Sequence, residues 1–151
     1  MKNEDVVETL NELIETSQDG ERGFDTCAKH AHDPMVRDLL SHHARHCHQA
    51  ADELSPLVLE YGGQPGLKGS ATAALHRGWV AVRGSLGGLS DLDVLEECER
   101  SEDMVLQHYR EALDDGDMPT NVRLVVERQM LGLQRNHEQI RQLREQHRRA
   151  M

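Results

Sequence analysis

At 151 residues the chain is sized for a single domain, residues 1–151, and is long enough to bury a core. A net charge of −10 with neutral histidines repels phosphate backbones and anionic lipid, which argues against nucleic acid and membranes as partners. Only 3% of residues are aromatic, and Leu, Val and Ala interleaved with Glu, Gln and Arg favour helices over strands.

The opening segment, MKNEDVVETL, is acidic and amphipathic without an apolar signal core, and no apolar run reaches the length of a membrane span. That pattern predicts a cytoplasmic protein. A first helix is expected from about Glu4 to His30, with Val6, Leu10, Leu13, Ile14, Phe24 and Ala28 on one face. Asp33-Pro34 reads as an N-cap and first-turn pair, starting a second helix that stops at Gly62-Gly63. The short link between them demands an antiparallel hairpin. Gln64 to Lys68 is a Gly/Pro loop, followed by a shorter helix from about Ser70 to Leu86. Asp91 is the expected cap of a fourth helix ending near Leu113, and Pro119 starts a fifth that runs almost to the last residue.

The pattern is hairpin, long connection, hairpin. The connecting helix, at roughly 1.5 Å per residue, is long enough to return the chain along most of a bundle. The second and fourth helices are then expected to run parallel, giving an all-α ferritin-like four-helix bundle with a short fifth helix in the crossover. The alternative is a plain up-down bundle with the short helix lying across one end. Cys27, Cys47 and Cys98 are an odd number without CxxC spacing, so they read as free packed thiols in a reducing compartment. Cys27 and Cys98 are expected at different depths, off the stripe centres and unbridged.

Each long helix breaks its apolar stripe with a polar side chain. In the second helix, LLSHHARHCHQAADEL spans Leu39 to Leu54; His43 sits at the stripe centre and His46 lies about 60° away, while His42 is near the boundary and His48 points out. Glu21 lies between Ser17 and Phe24, and Glu102 lies between Leu95 and Leu106 with Glu99 at the edge. His137 lies between Leu133 and Ile140, beside Gln134. Counted from the hairpin loops, these interruptions fall at similar depths, so a parallel second and fourth helix would gather them in one layer. Buried ionisable groups need a partner, and carboxylates and imidazoles converging from four helices are what a di-iron or di-manganese centre requires. The usual Glu-x-x-His pairs are replaced here by His43-Ala44-Arg45-His46 and Gln134-Arg135-Asn136-His137, so both bridging carboxylates are missing. One ion, Zn or Fe, would fit such a set more readily than two.

The candidate metal set is therefore Glu21, His43, His46, Glu99, Glu102 and His137, with Fe, Mn or Zn as the ion. The competing reading needs no cofactor: the same groups satisfy one another as Glu–His hydrogen bonds in a polar core. Cys47, four residues after His43, has no third orienting group to make it a nucleophile, and no phosphate loop, nucleotide fingerprint or serine elbow is present. Nothing in these motifs calls for an enzyme.

The runs NELIETSQDGERGF (Asn11–Phe24), LHRGW (Leu75–Trp79), ECERSED (Glu97–Asp103) and VERQMLGLQRNHEQIRQLR (Val126–Arg144) resemble a bacterial ferritin-like four-helix-bundle family catalogued as a domain of unknown function. The resemblance implies the same fold and carries over no activity and no catalytic residue. Two function classes follow. One is a bundle that binds a metal in its core. The other is a metal-free bundle acting through its surface as a stress-related or self-assembling protein, a homo-oligomer. Trp79 in LHRGW reads as packing on the bundle or as a dimer contact.

Overall fold

The computed structural model describes residues 1–66 and 73–151, the side chains of 73–75 aside. The expected residues Lys68 and Ser70, in the loop and at the start of the connecting helix, lie outside the described residues. The described chain is all-helical, with α1 (Asn3–His30), α2 (Pro34–Glu60), α3 (Ala73–Ser85), a 3-10 turn (Leu86–Gly88), α4 (Asp91–Leu113) and α5 (Thr120–Arg149), and it contains no strand. None of its helices is long and apolar enough to cross a membrane.

Local chemistry sets the boundaries. The Asp33 carboxylate accepts the Met35 amide at 2.9 Å and Pro34 occupies the first turn, so α2 starts at once after α1. Gly62 adopts φ +85° just past the end of α2, a left-handed conformation that costs glycine little. At α4 the cap differs from expectation. Ser90 is the N-cap, its hydroxyl accepting the Asp93 amide while Asp93 returns to the Ser90 amide. Asp91 is thereby released for a tertiary task. It accepts the His32 amide at 2.9 Å and the Asp33 amide at 2.7 Å, both in the α1–α2 turn.

These contacts fix the topology. One pole gathers the end of α1, the start of α2, the start of α4 and, through a 3.0 Å contact between His147 Nε2 and Asp33, the end of α5. At the other pole the Tyr61 hydroxyl, after α2, donates to Asn121 in the first turn of α5 at 2.7 Å. The second and fourth helices therefore run parallel, and α3 carries the chain back along α1 and α4.

The core is built from Leu10, Leu13, Ile14 and Phe24 of α1, Leu40 and Leu54 of α2, Leu95 and Tyr109 of α4, and Val126 and Ile140 of α5, all essentially inaccessible to solvent. Each contributes about 1.5–3 kcal/mol by leaving water. Trp79 of α3 is fully buried within the chain, its ring edge-on to Phe24 at 5.0 Å, so of the two readings of LHRGW packing is the one realised. It lies directly on Gly23, where a Cβ would stand 2.1 Å from Trp79 Cε3. His76 of the same motif meets the buried Asp19 carboxylate at 2.9 Å, and Arg22 donates to the same oxygen at 2.6 Å.

All three cysteines are free and buried. The expectation that Cys27 and Cys98 differ in depth and lie off the stripe centres is corrected: both are fully buried, and the Cys27 thiol is near enough to raise the Cys98 pKa. Cys27 lies near the end of α1 and Cys98 near the start of α4, and those two ends share a pole.

Candidate functional site: a buried histidine–glutamate pair beside a half-open cavity

The stripe centres of α2 and α4 deliver the two residues expected of them. His43 is inaccessible to solvent and Glu102 is 2% exposed. His43 Nε2 lies 3.3 Å from Gln139 Oε1, which makes Nε2 the protonated nitrogen and leaves the Nδ1 lone pair free. Nδ1 faces Glu102 Oε2 at 3.8 Å, beyond hydrogen-bonding reach. Among the described residues neither carboxyl oxygen of Glu102 has a hydrogen-bond partner, and neither does His43 Nδ1. Burial pushes Glu102 well above the usual carboxylate range, and the nearby charges of Asp103 and Glu99 push it further. Burial pulls His43 down to about 4. Burial thus favours the uncharged form of both groups, and His43 is a neutral imidazole at neutral pH.

The other four candidates go elsewhere. Glu21 turns out of the bundle and takes His48 Nδ1 at 2.9 Å on the surface, an interaction that raises the His48 pKa. His46 Nδ1 accepts the Asn136 amide at 3.0 Å, and burial, then His42, lower its pKa. Glu99 is held by the Arg144 guanidinium. His137 Nε2 lies 2.7 Å from Asp103 at the bundle edge. Their levels agree with expectation, since His43–Gln139, His46–Asn136 and His137–Asp103 all fall in the middle of the helices. Their directions do not. On α1 the buried spine runs through Ser17, Gly20 and Phe24, which leaves Glu21 about 100° from Gly20. On α5 it runs through Asn136, Ile140 and Leu143, which leaves His137 one residue off. Among the described residues no three of His, Cys, Asp and Glu are placed to share a metal ion. The six expected donors are therefore not gathered in one layer facing a common point.

Beside Glu102 lies a cavity of about 310 Å³. Its apolar wall includes Phe24, Cys47, Val105 and Leu133, and its polar wall includes Tyr109 and Gln129. The Tyr109 hydroxyl donates to Gln129 Oε1 at 2.7 Å, and Gln129 Nε2 donates to Ala50 O at 3.2 Å and to Glu53 Oε1 at 2.8 Å. Arg128 holds Glu53 at the solvent side. Burial raises the Tyr109 and Cys47 pKa values, so both stay protonated.

Sequence reasoning missed Asn136, Gln129 and Asp19. Each is a polar residue on or beside a buried spine, and Asn136 follows the three-and-four spacing of Leu133, Asn136 and Ile140. Asp19 lies just before Gly20, turned towards α3.

No curated protein matches the chain. The model of a family described as a domain of unknown function, DUF2383, matches residues 5–115, which takes in α1 to α4 and stops short of α5. His43, Glu102 and the Asp19–His76 contact all fall inside that span, and the chain belongs to the DUF2383 family.

Proposed function

We propose that the protein is a non-catalytic, ferritin-like four-helix bundle that receives a small-molecule guest in its interior, against Glu102, and works without a metal centre. The ferritin-like reading is supported by the parallel α2 and α4 and by the helix in the crossover. The binding reading rests on Glu102, a carboxyl 2% exposed with neither oxygen partnered, on the wall of a 310 Å³ cavity. Leaving a buried acceptor unpaired costs about 1–3 kcal/mol, and a perturbed acid in a largely apolar cavity is the usual mark of a binding site. Enzyme chemistry has no support, because Cys47 is buried with a raised pKa and has no base beside it to make a thiolate. Three unbridged thiols suit a cytoplasmic protein.

The test is a methyl-resolved NMR titration of the full chain with single-ring fragments, alongside metal analysis of the purified protein. Val105 and Leu133 methyl resonances are expected to shift with at least one fragment. Unmoved methyls throughout, or stoichiometric Fe, Mn or Zn whose stabilising effect disappears in His43→Ala, would overturn the reading.

A further inference from the structure

The chemistry of the cavity wall also selects the class of guest, an inference that rests on the interior-binding reading above. Tyr109, Gln129 and Asn136 are already hydrogen-bonded to neighbouring groups. Glu102 alone among these polar groups is unpaired, and it is unpaired at both oxygens. Among the described residues no guanidinium or ammonium is ion-paired with it, although Arg128 and Arg135 line the same cavity. Arg144 is held by Glu99, and Arg128 is held by Glu53. Among the described residues its ion-pair-range neighbour is the neutral His43, and Asp103 and Glu99 add negative potential around it. An anionic guest could reach Arg128 or Arg135 elsewhere on the cavity wall, but it brings no donor and would leave both Glu102 oxygens bare. A neutral alcohol would satisfy one oxygen and leave the other bare. An ammonium or amidinium offers two N–H donors and a charge, and pairs with both oxygens in charge-assisted hydrogen bonds.

We infer that the guest is a small organic cation, an ammonium or amidinium on an apolar body, whose N–H groups fill both Glu102 oxygens while its body lies against Phe24, Val105 and Leu133. In the complex Glu102 is the carboxylate, any proton it carried having passed to solvent, and it accepts both N–H groups. Charge balance is kept inside the cavity, because the cation is paired with that carboxylate.

Benzamidine and benzylamine serve as the cationic probes, with benzyl alcohol and benzoate as neutral and anionic counterparts of similar size. Affinities are measured on the full chain by the Val105 and Leu133 methyl shifts, at about 0.15 M salt so that surface charge is screened. The cations are expected to bind at least tenfold more tightly than benzyl alcohol, with benzoate weakest. Glu102→Gln keeps the shape and removes the charge, so it should erase the preference for cations over benzyl alcohol. Leu133→Trp, which fills the cavity, should abolish all of it. Equal or tighter binding of benzyl alcohol, or a cation preference that survives Glu102→Gln or Leu133→Trp, overturns the cationic class while interior binding stands. Failure of all four probes to move the methyls counts against both.

Discussion

Burial favours the uncharged form of both His43 and Glu102, yet they pull stability in opposite directions with pH. His43 titrates at about 4 when folded and near 6.5 when unfolded, so the unfolded chain takes up the proton first. Its contribution is fully present above about pH 6.5 and is lost as pH falls towards 4, a swing of about 3 kcal/mol. Glu102 has a folded pKa above its unfolded value, so the folded state holds the proton longer. Below about pH 4 it makes no difference, and its penalty grows as pH rises from there. His43→Leu should therefore flatten the acid limb of a stability-against-pH curve measured by urea unfolding. Glu102→Gln should match the wild type near pH 4 and exceed it at neutral pH. Curves that run parallel to the wild type in both variants would show that neither group titrates as its burial requires. These two residues were legible from the sequence because each sits at the centre of its stripe, where an error of a few tens of degrees does not change the side it faces. Glu21 and His137 sit one residue from the buried spine, where the same error decides between core and surface.

The elements themselves were legible for a different reason. Pro34, the glycines after α2 and the apolar spacing each act within a few residues, so helix ends and faces can be read locally. The purpose of LHRGW could not be, because its contacts are made with α1: His76 and Asp19 are 57 residues apart in sequence. Periodicity tells which face of a helix is buried and is silent on what lies across from it. The structure shows α3 clamped at two points, by the Asp19–His76 contact and by Trp79 seated on Gly23. Gly23→Ala should push Trp79 off its seat, since the new methyl group would stand 2.1 Å from the ring. Overpacking of this kind costs about 1–3 kcal/mol. Trp79 is the single tryptophan, so its emission reports the event directly. The variant should melt lower and emit at longer wavelength in the native state. A Gly23→Ala protein with unchanged emission and melting temperature would mean that α3 is not seated as described. Displacing Phe24 as well would reach His43, whose ring meets Phe24 edge-on at 5.6 Å, so this clamp lies one contact from the core pair.

At the scale of the whole molecule, the arrangement depends on bringing the start of α4 to the pole where α1 ends. The residue that secures this is Asp91, an expected helix cap that instead reaches 58 residues back to the Asp33 amide and 59 back to the His32 amide. Both amides lie in the tight turn before α2, and the first amides of a helix have no partner within it. Asp91 thus ties the two hairpins together at one pole, while the Ser90–Asp93 box caps α4 without it. The two roles separate on substitution. Ser90→Ala removes a cap and should cost about 1 kcal/mol, with its effect confined to the first turn of α4. Asp91→Ala leaves that cap intact and strips two backbone donors of their acceptor, at about 1–3 kcal/mol. Hydrogen exchange should then quicken at His32 and Asp33, far from the substitution in sequence, while the amides of the first turn of α4 keep their rates. If exchange at His32 and Asp33 is unchanged in Asp91→Ala, the start of α4 does not rest on the α1–α2 turn. The parallel course of α2 and α4, which brings His43 opposite Glu102, would then lose its main support.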